Sequence, residues 1–317
     1  MELRRVRISA LIILVLLPLC CRAGGQDERY AYLDNGKVRI GLDLSRGGGI
    51  FHFSTAAENI NRLNHYDEGR FIQQSYYGND GRAYKWGDNN WSWNPIQGGG
   101  SDGQPATVIE KEIGEDFIKV VTIPRQWGRL VSYGCCPIAA ECTMTEVITL
   151  KDDYAILEFS FSYDGETDLG STTQELPAFF CDWNFNRFVA YTGERPWTGD
   201  ELTYITPIPL RGIANENPAC NATEEWYAYV DENGYGIGLY TPGTGSAVYY
   251  THGTGPGGAD AGSCSYFAPI RKLHITAPFS FSYKAYLTIG NIDRIRDTFK
   301  AINILSSQDM ARKDCQD

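Results

Sequence analysis

The stretch "EEWYAYVDENGYGIGLYTP", residues 224–242, decides the fold. Two runs of Trp, Tyr, Val, Ile and Leu flank Asn233-Gly234, the dipeptide that most readily adopts the positive φ of a tight hairpin turn. The segment therefore reads as two antiparallel strands. Working outward, the same texture recurs in "GKVRIGLDL", "DFIKVVTIP", "CTMTEVITL", "YAILEFSFSY" and "FSFSYKAYLTIG", each bounded by Gly, Asn, Asp or Pro. Only one helix stands against these strands: Asn291 caps it, and Ile292, Ile295, Phe299 and Ile302 then share one face. With no internal repeat and no Pro- or Ser-rich linker, the pattern predicts an all-β fold. It is a large two-sheet antiparallel β-sandwich with one short C-terminal helix, a single domain over 24–305 followed by a polar tail, 306–317.

The N-terminus reads differently. "MELRRVR" is basic, and "ISALIILVLLPLCC" is apolar but short for a bilayer span, the pattern of a secretory signal peptide over residues 1–23. The expectation is a secreted, extracellular protein that does not span a membrane. Removing that segment takes the formal charge from −11 to −14, because four arginines leave with one glutamate. Such acidity disfavours nucleic acid and anionic lipid as partners. In an oxidising compartment, most of the seven remaining cysteines are expected in disulfides, and the odd one is left free or bonds another chain. Asn90-Trp91-Ser92 and Asn221-Ala222-Thr223 are N-glycosylation sequons.

Several motifs exclude chemistry. The G-x-G-x-x-G at Gly253, Gly255 and Gly258 contains Pro256 and does not lead a strand into a helix, so no dinucleotide cofactor is expected. The acidic turns "DENGYG" and "KDDYA" lack the twelve-residue calcium pattern, and the cysteine cluster at 135–142 lacks zinc spacing, so no metal is assigned. No serine lies in G-x-S-x-G.

At "NGKVRIGLDLSRGGGIFHFS" (35–54) and "NINRLNHYDEGRFIQQSYYG" (59–78) the chain resembles a group of secreted proteins found in bacteria and some eukaryotes. Their pattern runs from a strand ending in a glycine pair into N-x-x-[ND]-x-x-D-x-G-R-x-[IV]-Q-x-S-[YF]-Y. The likeness continues through "WSWNPIQGGG", "TQELPAFF" and "YFAP". The opening element is similar to the galactose mutarotase-like supersandwich of sugar epimerases, polysaccharide lyases and glycosidases. That resemblance implies a sugar-oriented cleft on one concave sheet, but carries no reaction. Mutarotases place two histidines and a glutamate around the sugar; the four histidines here match no such setting, so simple epimerisation is not expected.

The candidate chemistry follows from residue types. Glycoside hydrolysis uses paired carboxylates, and Asp67, Glu175 and Asp182 are the candidates, the last two set among aromatic residues. Uronate elimination uses a base with a group that neutralises the carboxylate; His65, Tyr66, Arg70, Gln73 and Gln74 offer every type within ten positions. Trp91, Trp93 and Asn94, beside Trp86, supply flat apolar faces and amides that suit a sugar, and Trp127 and Trp183 extend the set. The reading is a secreted carbohydrate-directed protein acting on an extracellular glycan, as hydrolase or lyase. A non-catalytic carbohydrate-binding protein and an acidic matrix or mineral-associated protein stand as the alternatives.

Overall fold

The computed structural model describes residues 29–64, 69–207, 218–253 and 263–313. Strands dominate because the alternating segments each place one apolar row inward. In Cys142–Lys151 the buried positions are Cys142, Met144, Glu146 and Ile148; in Tyr154–Tyr163, Leu157, Phe159, Phe161 and Tyr163 alternate with exposed or half-buried neighbours. The hairpin of the opening segment forms as expected: Trp226–Val230 pairs with Tyr235–Tyr240. Asp231 Oδ1 accepts from the amides of Asn233 and Tyr235, and Gly234 adopts φ +77°.

Two antiparallel sheets carry the fold. The larger has nine strands in the order Thr203–Ile205, Arg187–Ala190, Trp226–Val230, Tyr235–Tyr240, Phe279–Asn291, Tyr154–Tyr163, Cys142–Lys151, Phe117–Ile123 and Thr107–Ile113. The smaller has seven, Arg125–Gln126, Pro95–Ile96, Gln73–Ser75, Gly170–Asp182, Cys264–Ile275, Ser246–His252 and Ala219–Asn221. Their facing side chains form one core: Ile148, Leu157, Leu239 and Leu287 from the nine-stranded sheet meet Phe179, Phe267 and Tyr249 from the seven-stranded one. Val38, Ile40, Leu42 and Phe53 of an N-terminal three-stranded sheet join them. This is the expected two-sheet all-β sandwich.

The helix Ile292–Lys313 closes the outer face of the nine-stranded sheet. Ile292, Ile295, Phe299 and Ile302 are all buried, and Asn291 Oδ1 accepts from the Asp293 amide at 3.2 Å. Gly238 lets the helix approach, since a Cβ there would lie 2.6 Å from Ile295. Arg296 reaches through the contact to buried Glu224, which also accepts from the Trp197 amide and the Trp226 indole. The helix runs to Lys313.

The cysteines correct the expectation of disulfides. Cys135, Cys136, Cys142, Cys181, Cys220 and Cys264 form no disulfide with one another. All but Cys135 are buried, and they fill core positions as small apolar groups. Cys315 lies outside the described residues. Among the described residues, no helix is long and apolar enough to cross a membrane.

Candidate functional site

The outer face of the seven-stranded sheet holds a cavity of about 170 Å³. Its floor is laid by strand alternation. In "QQSYYG", Gln73, Ser75 and Tyr77 line the cavity, while Gln74 and Tyr76 turn inward. Gln74 Nε2 donates to the Thr145 carbonyl at 3.0 Å, and Tyr76 stacks on Phe161. The next strand, Gly170–Asp182, would show Glu175 and then every second residue to the same side. Its pairing with the strand Gln73–Ser75 instead steps from Glu175↔Ser75 to Ala178↔Gln73, one residue more than a regular ladder. That bulge brings Glu175, Ala178 and Phe180 to the cavity together.

Two further strands complete the floor. Phe180, Tyr266 and Tyr250 sit opposite one another across three strands; Phe180 meets Tyr266 at a tilt, ring centres 4.6 Å apart, and Tyr266 stacks on Tyr250 at 4.4 Å. Tyr266 donates its hydroxyl to Glu175 Oε1 at 2.5 Å. His252, two residues beyond Tyr250, lines the same cavity. The wall is indole. Trp86 meets Trp91 edge-on at 5.2 Å and Trp127 at 5.7 Å, and the Arg70 guanidinium lies 5.7 Å from the Trp127 ring centre.

Electrostatics follow from this burial. Desolvation pushes the Glu175 carboxyl above the usual carboxylate range, and the Tyr266 hydrogen bond, with the nearby Ser75 and Tyr77 hydroxyls, pulls part of the way back. Tyr77 and Tyr266 are pushed well up, first by burial and then by the Glu175 charge. Tyr250 is also raised by burial, with Arg70 opposing the shift. A carboxyl whose neutral and charged forms are brought closer in energy, ringed by hydroxyls, is equipped to exchange a proton with a ligand. No group of three or more His, Cys, Asp or Glu side chains placed to hold a metal occurs among the described residues.

Of the residues singled out from sequence, Arg70, Gln73, Trp91, Asn94 and Glu175 are brought together in this cavity. Gln73 Oε1 accepts from the Gly98 amide. Gln74 and Trp93 belong to the interior, Trp93 packing edge-on against Tyr163. Asp182 ends its strand and accepts from the Asn184 amide at 2.9 Å, away from the cavity lining. His65, Tyr66 and Asp67 lie outside the described residues. Asn90 and Asn221 are exposed, on the strands Asn89–Trp91 and Ala219–Asn221. Tyr250, His252 and Tyr266 were not singled out from sequence. Period-two alternation in "SAVYYTH" does put Val248, Tyr250 and His252 on one face, but nothing local says that this face looks onto Glu175.

No family model matches the chain, and no curated protein does. Among solved structures it is similar to a galactose mutarotase-like protein from Lactobacillus casei, at 10% identity over 82% of this chain and 99% of that one, with a TM-score of 0.48. A 4-alpha-glucanotransferase from Thermococcus litoralis shows 11% identity over 83% of this chain and 38% of its own, at 0.46. A heparan sulfate lyase from Pedobacter heparinus shows 8% identity over 80% and 33%, at 0.41. Likenesses this distant carry no activity to the chain; the reading of function rests on its own cavity.

Proposed function

We propose that this protein is a carbohydrate-directed, glycan-processing enzyme that seats a sugar unit against Trp86, Trp91 and Trp127 and moves a proton at Glu175. One observation carries the reading: the Glu175–Tyr266 hydrogen bond of 2.5 Å lies in a cavity walled by three indoles. Indole faces suit the C–H face of a pyranose, and Gln73, Arg70 and His252 supply polar groups for its substituents.

Among the described lining residues Glu175 is the one carboxylate, whereas hydrolysis generally calls for two. Elimination from a uronate needs less. A base removes the proton α to the carboxylate, the C–O bond to the leaving sugar breaks, and an acid returns a proton to the leaving oxygen. Glu175 with Tyr77 and Tyr266 supports the proton transfers, and Arg70 and Gln73 support neutralisation of the uronate carboxylate. Lyase action on a uronic-acid polysaccharide is thus the favoured chemistry. The basic-then-apolar N-terminal segment supports secretion, and the exposure of Asn90 and Asn221 supports their use as glycan acceptors.

The test is incubation with neutral and uronic polysaccharides, following new reducing ends and the ultraviolet absorbance of unsaturated uronates. Both signals together are expected. Reducing ends without the absorbance would replace elimination by hydrolysis. Saturable binding without either would leave a carbohydrate-binding protein, and no binding would end the reading.

A further inference from the structure

Ser75 and Tyr77 both line the cavity, yet only Ser75 is paired with the strand Gly170–Asp182. Continued past Glu175↔Ser75, the antiparallel register would set Tyr77 opposite Thr173, but the pairing stops at Ser75. The chain next bonds to that side at Asn79, whose amide donates to the Leu169 carbonyl at 3.0 Å. The N–H and carbonyl of Tyr77, which a ladder would have satisfied, go to one side chain instead. Gln174 is fully buried; its Oε1 accepts from the Tyr77 amide at 2.6 Å, and its Nε2 donates to the Tyr77 carbonyl at 3.0 Å. Thr172 Oγ1 donates to the same carbonyl at 2.5 Å and accepts from Gln174 Nε2 at 2.8 Å. A backbone N–H can only donate and a backbone carbonyl can only accept, so the Gln174 amide has one orientation.

We propose that Gln174 is a positioning residue for Tyr77: its amide stands in for the missing strand partner and fixes the backbone from which the phenol enters the cavity. The part that Tyr77 plays in turnover rests on the proton-transfer reading given above; its placement rests on the two amide bonds alone. A side-chain carboxamide carries the same donor and acceptor as a peptide group, which is why it can occupy the place of one. Neighbouring positions on one strand then serve the cavity in two ways, Glu175 by supplying its carboxyl and Gln174 by setting the tyrosine that lines the same space. Glutamate as a carboxylate would lack the donor, and methionine would lack both groups.

The experiment is nuclear magnetic resonance of the full chain with isotope-labelled tyrosine rings, in which the Tyr77 signal is the one that Tyr77→Phe removes. Gln174→Met is expected to displace that signal while the Tyr154 signal, from the outer face of the nine-stranded sheet and assigned through Tyr154→Phe, stays in place. An unmoved Tyr77 signal overturns the proposal. On a polysaccharide that is turned over, Gln174→Met is expected to lower kcat by about 10²-fold with KM little changed, the cost of a misplaced reacting group. Combined with Tyr77→Phe it should lose no more than Tyr77→Phe alone, since Gln174 acts through Tyr77; losses that simply add overturn the proposal as well. If Gln174→Met does not fold, Gln174→Glu at alkaline pH decides, because the introduced carboxylate offers the Tyr77 carbonyl no donor. A displaced Tyr77 signal upholds the placement, and one that coincides with the signal of the unmodified protein removes it. The two readings fail separately, because the resonance measurement needs no turnover and the glycan panel needs no resonance.

Discussion

Glu175 and Glu146 lie on opposite sides of the strand Gln73–Ser75, and burial raises both carboxyls. Their surroundings differ. Glu175 accepts from the Tyr266 hydroxyl at 2.5 Å and faces a cavity, whereas Glu146 points into the sandwich, where Gln97 Nε2 is its donor at 3.1 Å and Oε1 has no partner. Gln97 in turn accepts from the Gln74 amide and donates to the Gly47 carbonyl, so the Glu146 cluster braces the strand from behind. A further glutamate, Glu224, is buried and held by Arg296 and two N–H groups. A perturbed carboxyl alone does not mark a site. Access to a cavity, and a tyrosine donor from the neighbouring strand, separate the candidate catalytic glutamate from a core brace and from a helix anchor.

That contrast breaks most visibly at Glu175. Glu175→Gln is expected to lower turnover by about 10²–10⁴-fold while leaving the melting temperature close to wild type, as assayed on the responding polysaccharide and by calorimetry. Equal losses from Glu146→Gln would erase the distinction. Glu224→Gln should instead cost stability, on the order of 3–5 kcal/mol in urea unfolding, because Arg296 is left buried without its counter-charge.

Glu146 sharpens the comparison through pH. Its folded value, pushed up to about 8, lies above the ordinary 4.5, so the native state keeps a proton that the unfolded chain releases. Stability is therefore expected to fall as pH rises from about 4.5 and to stop falling past about 8. Glu146→Gln should flatten that slope and make the protein more stable at alkaline pH by a few kcal/mol, roughly the linkage energy of the shift. Urea midpoints measured across that range check it. The smallest effect belongs to the wall: Trp91→Ala is expected to weaken sugar binding by about 1 kcal/mol, several-fold in Kd, with little change in the pH–stability slope.

Much of this architecture is legible in the sequence. Alternation gave the strands, Asn233-Gly234 gave a hairpin, and Ile292, Ile295, Phe299 and Ile302 gave the buried face of the helix. The facing of "QQSYY" was not legible, because Gln73, Gln74, Ser75 and Tyr76 are all buried and alternation loses its contrast when both faces are covered. The bulge that re-aims the chain after Glu175 is marked by Pro177, which a regular central strand excludes, but that mark does not say which side chains the bulge turns toward a cavity. Tyr266 is 91 residues from Glu175, and only the sheet order brings them together. The cysteines misled for another reason: compartment chemistry argues for disulfides, but strand geometry buries these side chains as packing groups.

The most direct measurement is calorimetric titration of Glu175→Gln, which should bind without turning over, with a uronic-acid oligosaccharide, alongside Trp91→Ala. Saturable binding to Glu175→Gln that weakens in Trp91→Ala is the expected result. Binding indifferent to Trp91, or no binding by either the variant or the unmodified protein, would contradict a carbohydrate site in this cavity.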